Sequence, residues 1–268
     1  MIPRNRHTRV DYRAAAKRMD SPRAIVGFTA DYEAGDTTGM HAHDRAQLVH
    51  GETGVMTVRT HRGAWLVPPG FAVWVPATME HQVNAVSAMR MATLYVRDDA
   101  GVPLPSDCAV VSIPVLAREL ILRAVALPDI YPDNGPEERL IGVLRDELIG
   151  LEPAPLHLPL PLDKRARAVT DYLIENPADP RELEEWGKLA GASGRTLARL
   201  FTAETGLGFG RWRQKRRLLA ALERLAAGAQ VTTMALDLGY RSPSAFIAMF
   251  RRELGETPGR YLDRTRVS

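Results

Sequence analysis

Apolar and polar positions follow different rules in the two halves of the chain. From Ile25 to about Val96, short apolar runs rich in β-branched and aromatic residues are punctuated by Gly and Pro. Residues 54–60, 65–67, 72–75 and 91–96 read as strands, with Pro68-Pro69-Gly70 and Pro76 as turn signals between them. Many short strands at regular spacing predict a barrel or double-sheet jelly roll. The period then changes to 3.6. Val115, Leu116, Leu120, Ile121 and Val125 form one stripe of a helix over 113–127, stopped by Pro128; Leu140, Ile141, Leu144, Leu148 and Ile149 form another over 137–151. Each stripe needs cover, from the barrel or from a second subunit. Beyond residue 163 the pattern is helical throughout, with helices expected at 164–176, 182–190, 194–205, 209–227, 232–238, 243–254 and 258–266.

This predicts a multidomain fold: an N-terminal β-barrel of cupin or jelly-roll type with a two-helix extension (25–151), and a C-terminal all-α domain (163–268). Residues 1–24 read as a mobile arm with one short helix near 12–19. Residues 152–162 hold four prolines in eleven positions, which predicts a stiff, extended linker.

Composition changes the picture in two places. Cys108 is the single cysteine, so no intramolecular disulfide can form, and a reducing cytoplasm fits. The basic, polar start does not read as a signal peptide, and no window approaches the ~18 apolar residues of a membrane span. Of the net charge of +3, residues 163–268 carry 19 Lys/Arg against 13 Asp/Glu, and residues 1–162 carry 16 against 19. A basic C-terminal part suggests a polyanion partner for that part alone.

The C-terminal part contains an internal repeat at an offset of 49. Leu189/Leu238, Ser193/Ser242, Phe201/Phe250, Glu204/Glu253 and Gly206/Gly255 are identical. Each copy reads as a helix-turn-helix: a first helix, a Gly-containing turn, and a Ser that caps a second helix. Leu197, Leu200 and Phe201 face inward, as do Phe246, Met249 and Phe250, which leaves the outer positions free for a major groove. The long helix between the copies carries Arg211, Arg213, Lys215, Arg216 and Arg217. That run is a solvated face or a phosphate-contacting one; beside two helix-turn-helix units, phosphate contact is expected.

The segment from Leu236 to Tyr261 resembles the signature of the AraC/XylS family of bacterial regulators, with its Gly-aromatic-x-Ser…Phe…Phe…Gly…Pro…Tyr framework. The N-terminal part is similar to the cupin-like sensor domains joined to such readers. The resemblance implies a regulator that binds double-stranded promoter DNA. It further implies a homodimer, a small-molecule or metal effector, and RNA polymerase as a partner where the regulator activates. Carried over by position, Arg195, Ala198 and Arg199 would contact bases, with Ser193 and Thr196 at the same helix start. Pro243, Ser244, Ile247 and Ala248 occupy the corresponding positions of the second unit and offer few hydrogen bonds. Arg241, Ser242, Ser244 and Arg251 there, with Lys215 and Arg216, suit phosphate clamping. The arginines could equally be surface residues serving solubility.

His41-Ala42-His43, Gln47 and His81 resemble a cupin metal set, in which a Glu normally stands where Gln47 does. Three imidazoles can hold Zn, Ni or Fe. A neutral amide is a poorer ligand than a carboxylate, which argues against an oxygen-activating enzyme. These side chains either bind metal, line a small-molecule pocket, or remain from an ancestral metal site. Trp65, Trp74 and Tyr95 are pocket walls or ordinary core. The other functional readings are a cupin metalloenzyme (isomerase or dioxygenase) with a DNA-binding tail, and a DNA-binding module whose N-terminal domain only dimerises.

Overall fold

The structure, a computed structural model, describes residues 12–61, 63–103, 105–128 and 130–265. The first eleven residues of the expected arm, and residue 266 of the expected last helix, lie outside the described residues. The chain divides into two compact units, Met1–His61 with Trp65–Pro155, and Arg62–Ala64 with Leu156–Ser268.

Helix α1 (Tyr12–Met19) opens the first unit. Eight strands follow: β1 (Ile25–Tyr32), β2 (Ala46–Thr53), β3 (Met56–Thr60), β4 (Gly63–Val67), β5 (Phe71–Val75), β6 (Gln82–Ala85), β7 (Met89–Val96) and β8 (Ala109–Ser112). They form a double-sheet jelly roll rather than a closed barrel. One sheet is ordered β1–β7–β2–β5–β8 and the other β6–β3–β4–β9, the last being a three-residue strand (His157–Pro159) beside Gly63. Helices α2 (Val115–Val125) and α3 (Pro136–Ile149) follow β8.

The larger sheet is covered on both faces. In the register of β2 on β7, Gln47 opposes Tyr95, Leu48 opposes Leu94 and Val49 opposes Thr93. Successive side chains point to opposite faces. Leu48, Trp74, Ala92 and Leu94 therefore pack with Ala117 and Ile121 of α2 and Leu144 and Leu148 of α3. The other parity, carrying Gln47, Thr93 and Tyr95, faces the interior between the sheets. This two-sided burial explains why β2 was illegible as a strand: six of its residues are buried in a row, two of them Gln47 and His50. Strand β5 is likewise buried throughout.

Two expectations are corrected here. Residues 12–24 are docked rather than a mobile arm. Ala15 is buried, and the chain after α1 is tied down by guanidinium groups: Arg45 donates to Ser21 O and Arg23 O, and Arg97 donates to Pro22 O. The expected stiff, extended linker is extended, but it is packed at both ends. Pro153 bridges Val111 and Ala154 N–H donates to Val110 O in the first unit. In the second unit Leu156, Leu158 and Leu160 are buried and Trp212 Nε1 donates to Pro159 O at 2.7 Å. Alternate leucines between prolines give an extended segment one apolar face, and that face is packed.

The second unit is helical: α4 (Lys164–Glu175), α5 (Leu183–Leu189), α6 (Gly194–Thr205), α7 (Phe209–Ala226), α8 (Val231–Asp237), α9 (Pro243–Leu254) and α10 (Pro258–Thr265). No helix among the described residues is long and apolar enough to cross a membrane.

Arg45→Ala removes two charge-assisted hydrogen bonds of about 1.5–3 kcal/mol each. Amide exchange at residues 21–24 should rise about tenfold or more while β1 stays protected. Unchanged protection at 21–24 would contradict the docked description.

Candidate functional site

The histidines gather on three short backbone stretches. His41 and His81 pair as an isolated antiparallel bridge, N–H to O at 3.0 and 2.9 Å, while His43 lies in the connection leading into β2. A regular strand carrying both His41 and His43 is thus reduced to one bridge, but both rings reach the same cluster. Ring centroids are 4.4 Å apart for His41–His81, 5.1 Å for His43–His81 and 5.9 Å for His41–His43. One ligand atom from each ring lies within 4.8 Å of the others.

Each ring is oriented by a backbone carbonyl two residues away. His41 Nδ1 meets Gly39 O at 3.0 Å, His43 Nδ1 meets Arg45 O at 2.6 Å, and His81 Nδ1 meets Met79 O at 2.9 Å. A carbonyl only accepts, so each Nδ1 carries a proton, and a ring with that single proton presents an Nε2 lone pair. Gln47 Oε1 lies 3.1 Å from both His43 Nε2 and His81 Nε2. Its amide is held from behind: Gln47 Nε2 donates to Thr93 Oγ1 at 2.9 Å, and the Thr93 hydroxyl donates to Leu48 O at 3.0 Å. Thr93 has one hydroxyl proton, so it can only accept from Gln47, and the amide oxygen must face the histidines. Burial pushes His81 down to about 4 and lowers His41; the Met79 and Gly39 carbonyls oppose this, and neighbouring histidines reinforce it.

His41, His43 and Gln47 line a cavity of about 210 Å³, while His81 is buried behind them. Tyr95 lines the cavity and meets His43 edge-on at 5.2 Å. The other two aromatic candidates do not. Trp74 has the parity that faces α2 and α3, and Trp65 is buried in β4 of the smaller sheet. Sequence reasoning missed Phe28, Tyr32 and Met91, which complete the apolar wall, and Met19 of α1. The parity of Tyr95 along β7 points to Met91 and Thr93, but the strand's register on β2 had to be known first.

In the second unit the two helix-turn-helix copies are α5–α6 and α8–α9. Ser193 Oγ accepts from Thr196 N–H and Ser242 Oγ accepts from Ala245 N–H, as N-caps. Leu197, Phe201, Phe246, Met249 and Phe250 are buried, and Leu200 is half-buried. The turns are not equal. Gly191 and Gly239, both left-handed (φ +67° and +79°), stand 48 residues apart, while the caps stand 49 apart. The second turn holds one extra residue, so the 189/238 match is corrected: Leu189 is 64% exposed and Leu238 fully buried.

Arg195 and Arg199 are exposed on α6, with Thr196 and Ala198 half-buried between them; the Thr196 hydroxyl is engaged by Ser193 Oγ. On the second unit Arg241, Ser244, Ile247, Ala248 and Arg251 are exposed, and Ser242 and Pro243 half-buried. The side chains of Arg195, Arg199, Arg241 and Arg251 make no hydrogen bond or ion pair recorded among the described residues.

Helix α7 behaves otherwise. Arg211 grips Glu253 of α9 with both nitrogens, at 2.6 and 2.8 Å. Arg213 donates to Arg181 O and Glu182, and Arg217 donates to Pro177 O. Arg216 is 8% exposed and donates twice to Ile174 O and once to Glu223. The expected phosphate role is therefore corrected for Arg216: its guanidinium ties α7 to the end of α4. Lys215 is half-buried beside Arg211 and Glu253; burial lowers its pKa, Arg211 adds to this and Glu253 opposes it.

A ligand-pocket domain and a paired helix-turn-helix domain define a DNA-binding regulator with a sensor. Comparison with known proteins specifies it. A helix-turn-helix domain family matches residues 186–264, and the AraC-like ligand binding domain family matches 24–101. The HTH-type transcriptional regulator NimR of Escherichia coli K12 is 36% identical over 228 residues, 85% of this chain and 83% of that one. The regulatory protein SoxS of the same strain is 34% identical over 94 residues, 35% of this chain and 88% of SoxS. The solved structure of ToxT from Vibrio cholerae aligns at a TM-score of 0.40 with 9% identity, over 91% of this chain and all of that one. The chain belongs to the AraC-type family of DNA-binding transcription regulators, with a ligand-binding N-terminal domain.

Arg216→Ala leaves Ile174 O without its donors and should cost about 1–3 kcal/mol of stability. Arg199→Ala should stay within about 0.5 kcal/mol of the parent. Denaturant unfolding of both variants checks this; equal stability of the two would contradict the assigned division of arginines.

Proposed function

We propose that this regulator binds promoter DNA chiefly through α6, and that a divalent metal held by His41, His43, His81 and Gln47 forms part of its effector site. The observation that carries the sensing half is the convergence of acceptors. Two imidazole lone pairs face one amide oxygen at 3.1 Å, in a partly buried site, with every orientation pinned from behind. Acceptors do not crowd together without a cation between them. Protonating both rings instead would place two positive rings 5.1 Å apart. The spacing of 3.1 Å suits neighbouring ligands on an ion with bonds of about 2.0–2.2 Å. Zn, Ni and Fe all accept such donors, and the bound ion would supply a Lewis-acid contact for an effector. Carbonyls on each Nδ1 are the usual outer support of metal-binding histidines.

For DNA, exposed Arg195 and Arg199 support base reading, each able to pair bidentately with guanine. The second unit supports anchoring, through Arg241, Arg251, Ser242 and Ser244 at phosphates, with Ile247 as an apolar contact. Helix α7 has 18 residues, about 27 Å at 1.5 Å per residue, which supports recognition helices placed roughly one DNA turn apart. The exposed Val115 and Leu116 of α2 and Val143 and Ile149 of α3 support a homodimer, and a promoter-binding role goes with a cytoplasmic location. An activating mode adds RNA polymerase as a partner. The relatives are regulators, which supports a non-enzymatic role over the metalloenzyme alternative.

Two experiments test this reading. Elemental analysis of purified protein should give about one equivalent of transition metal, lost in His41→Ala/His43→Ala; a metal-free, folded protein that takes up none on addition would overturn the metal reading. Arg195→Ala and Arg199→Ala should each lower the ratio of specific to random DNA affinity by about 5–150-fold, from 1–3 kcal/mol per bidentate pair. Lys215→Ala should weaken both DNAs alike and flatten the salt dependence by about one unit. Equal losses on both DNAs for Arg199→Ala would remove its base-reading role.

A further inference from the structure

The charge of the histidine cluster constrains what can bind beside it. Cupin-like metal sites that use a carboxylate bring one negative charge to the ion; here the fourth donor is Gln47, whose amide is neutral. The candidate ligands gathered with His41 and His43 are otherwise only His81, with no Asp, Glu or Cys among the described residues of the group. Among the described residues the cavity wall likewise includes no acidic side chain. A dication on four neutral donors keeps its full charge in a pocket closed by Met19, Phe28, Tyr32, Met91 and Tyr95. An uncompensated charge in apolar surroundings is costly, so the site favours a ligand that brings a negative charge of its own, in competition with hydroxide from metal-bound water.

The rest of the ligand is set by the cavity. Its volume is about 210 Å³, below the ~300–1,000 Å³ of sites for drug-sized molecules, whereas a dry cavity of about 150 Å³ takes a benzene ring. The polar groups of the cluster are committed to one another: each Nδ1 to a carbonyl, and the Gln47 amide to Thr93. The metal is left as the one charged anchor, and the remaining wall offers mainly aromatic, aliphatic and thioether surface, with the hydroxyls of Tyr32, Thr38 and Tyr95 as its neutral polar groups.

We propose that the effector is a small organic anion of about one ring, with a single carboxylate or phenolate that binds the metal and an apolar body that fills the pocket. This rests on the metal reading above. Gln47 is then a specificity-determining residue: by withholding a charge it makes the site dependent on the ligand's own.

The test uses the full-length protein loaded with Co(II), whose visible absorption reports its ligands. Phenylacetate should shift the cobalt bands saturably. Phenylacetamide, the neutral isostere, should bind at least about tenfold more weakly. Acetate, which has the charge without the ring, should also lose about tenfold or more, since the ring's burial is worth more than 1.4 kcal/mol. Gln47→Glu should keep cobalt and lose the phenylacetate response, because the protein now supplies the charge. If that variant takes up no cobalt, Gln47→Asn, which keeps the donor neutral, should retain the preference for phenylacetate over phenylacetamide. Failure of the parent protein to bind one equivalent of cobalt overturns the metal reading and this proposal together. Cobalt bound with no phenylacetate response, or with equal binding of acid and amide, overturns this proposal alone.

Discussion

The register of β2 on β7 is the constraint on which the N-terminal domain depends. It places Leu48 and Leu94 on the helix side and Gln47, Thr93 and Tyr95 inside. A slip of one residue would send Gln47 into the apolar layer under α2 and leave leucines facing the histidines. Packing energy from one face of the sheet therefore fixes the chemistry on the other. The Gln47–Thr93–Leu48 chain of hydrogen bonds exists because two neighbouring strands hold those residues opposite one another. Function and fold share a single pairing.

The DNA-binding domain divides its arginines by burial. Those of α7 lock helices: Arg216 to the carboxyl end of α4, Arg217 to Pro177, Arg211 to Glu253 on α9. Buried guanidinium groups satisfy carbonyls that no backbone donor reaches. The equivalent glutamates of the two units serve different joints, Glu204 accepting from Leu162 and Asp163 N–H and Glu253 holding Arg211. Arg195 and Arg199 of α6 and Arg251 of α9 carry none of this, whereas Arg252 of α9 meets Glu253 beside Arg211. Between the two units, Arg211, Arg216 and Arg217 of α7 are engaged in joining helices.

Much of this was legible in the sequence. The 3.6 period locates every long helix within a few residues, the repeat exposes both helix-turn-helix units, and the spacing of His41, His43, Gln47 and His81 resembles a single cupin-type group. What was missed depends on tertiary contacts. Arg216 looks like its neighbours in sequence; its burial is decided by where α4 ends. Trp74 and Tyr95 look alike as aromatics, and strand parity alone separates a core residue from a pocket wall. The extra residue in the second turn was hidden by Leu189 and Leu238, identical residues on non-equivalent positions. Prolines at 153, 155, 159 and 161 signal extension correctly but say nothing of the alternate leucines that pack.

In the proposed metal site the rings of His41, His43 and His81 present Nε2 lone pairs to a common centre. Histidine tautomers can be observed directly by long-range ¹H–¹⁵N correlation NMR on zinc-loaded, ¹⁵N-labelled protein. All three rings should be protonated at Nδ1, with their Nε2 unprotonated. A proton on Nε2 of His43 or His81 would contradict it, because that ring would then be donating to Gln47 rather than waiting for a cation.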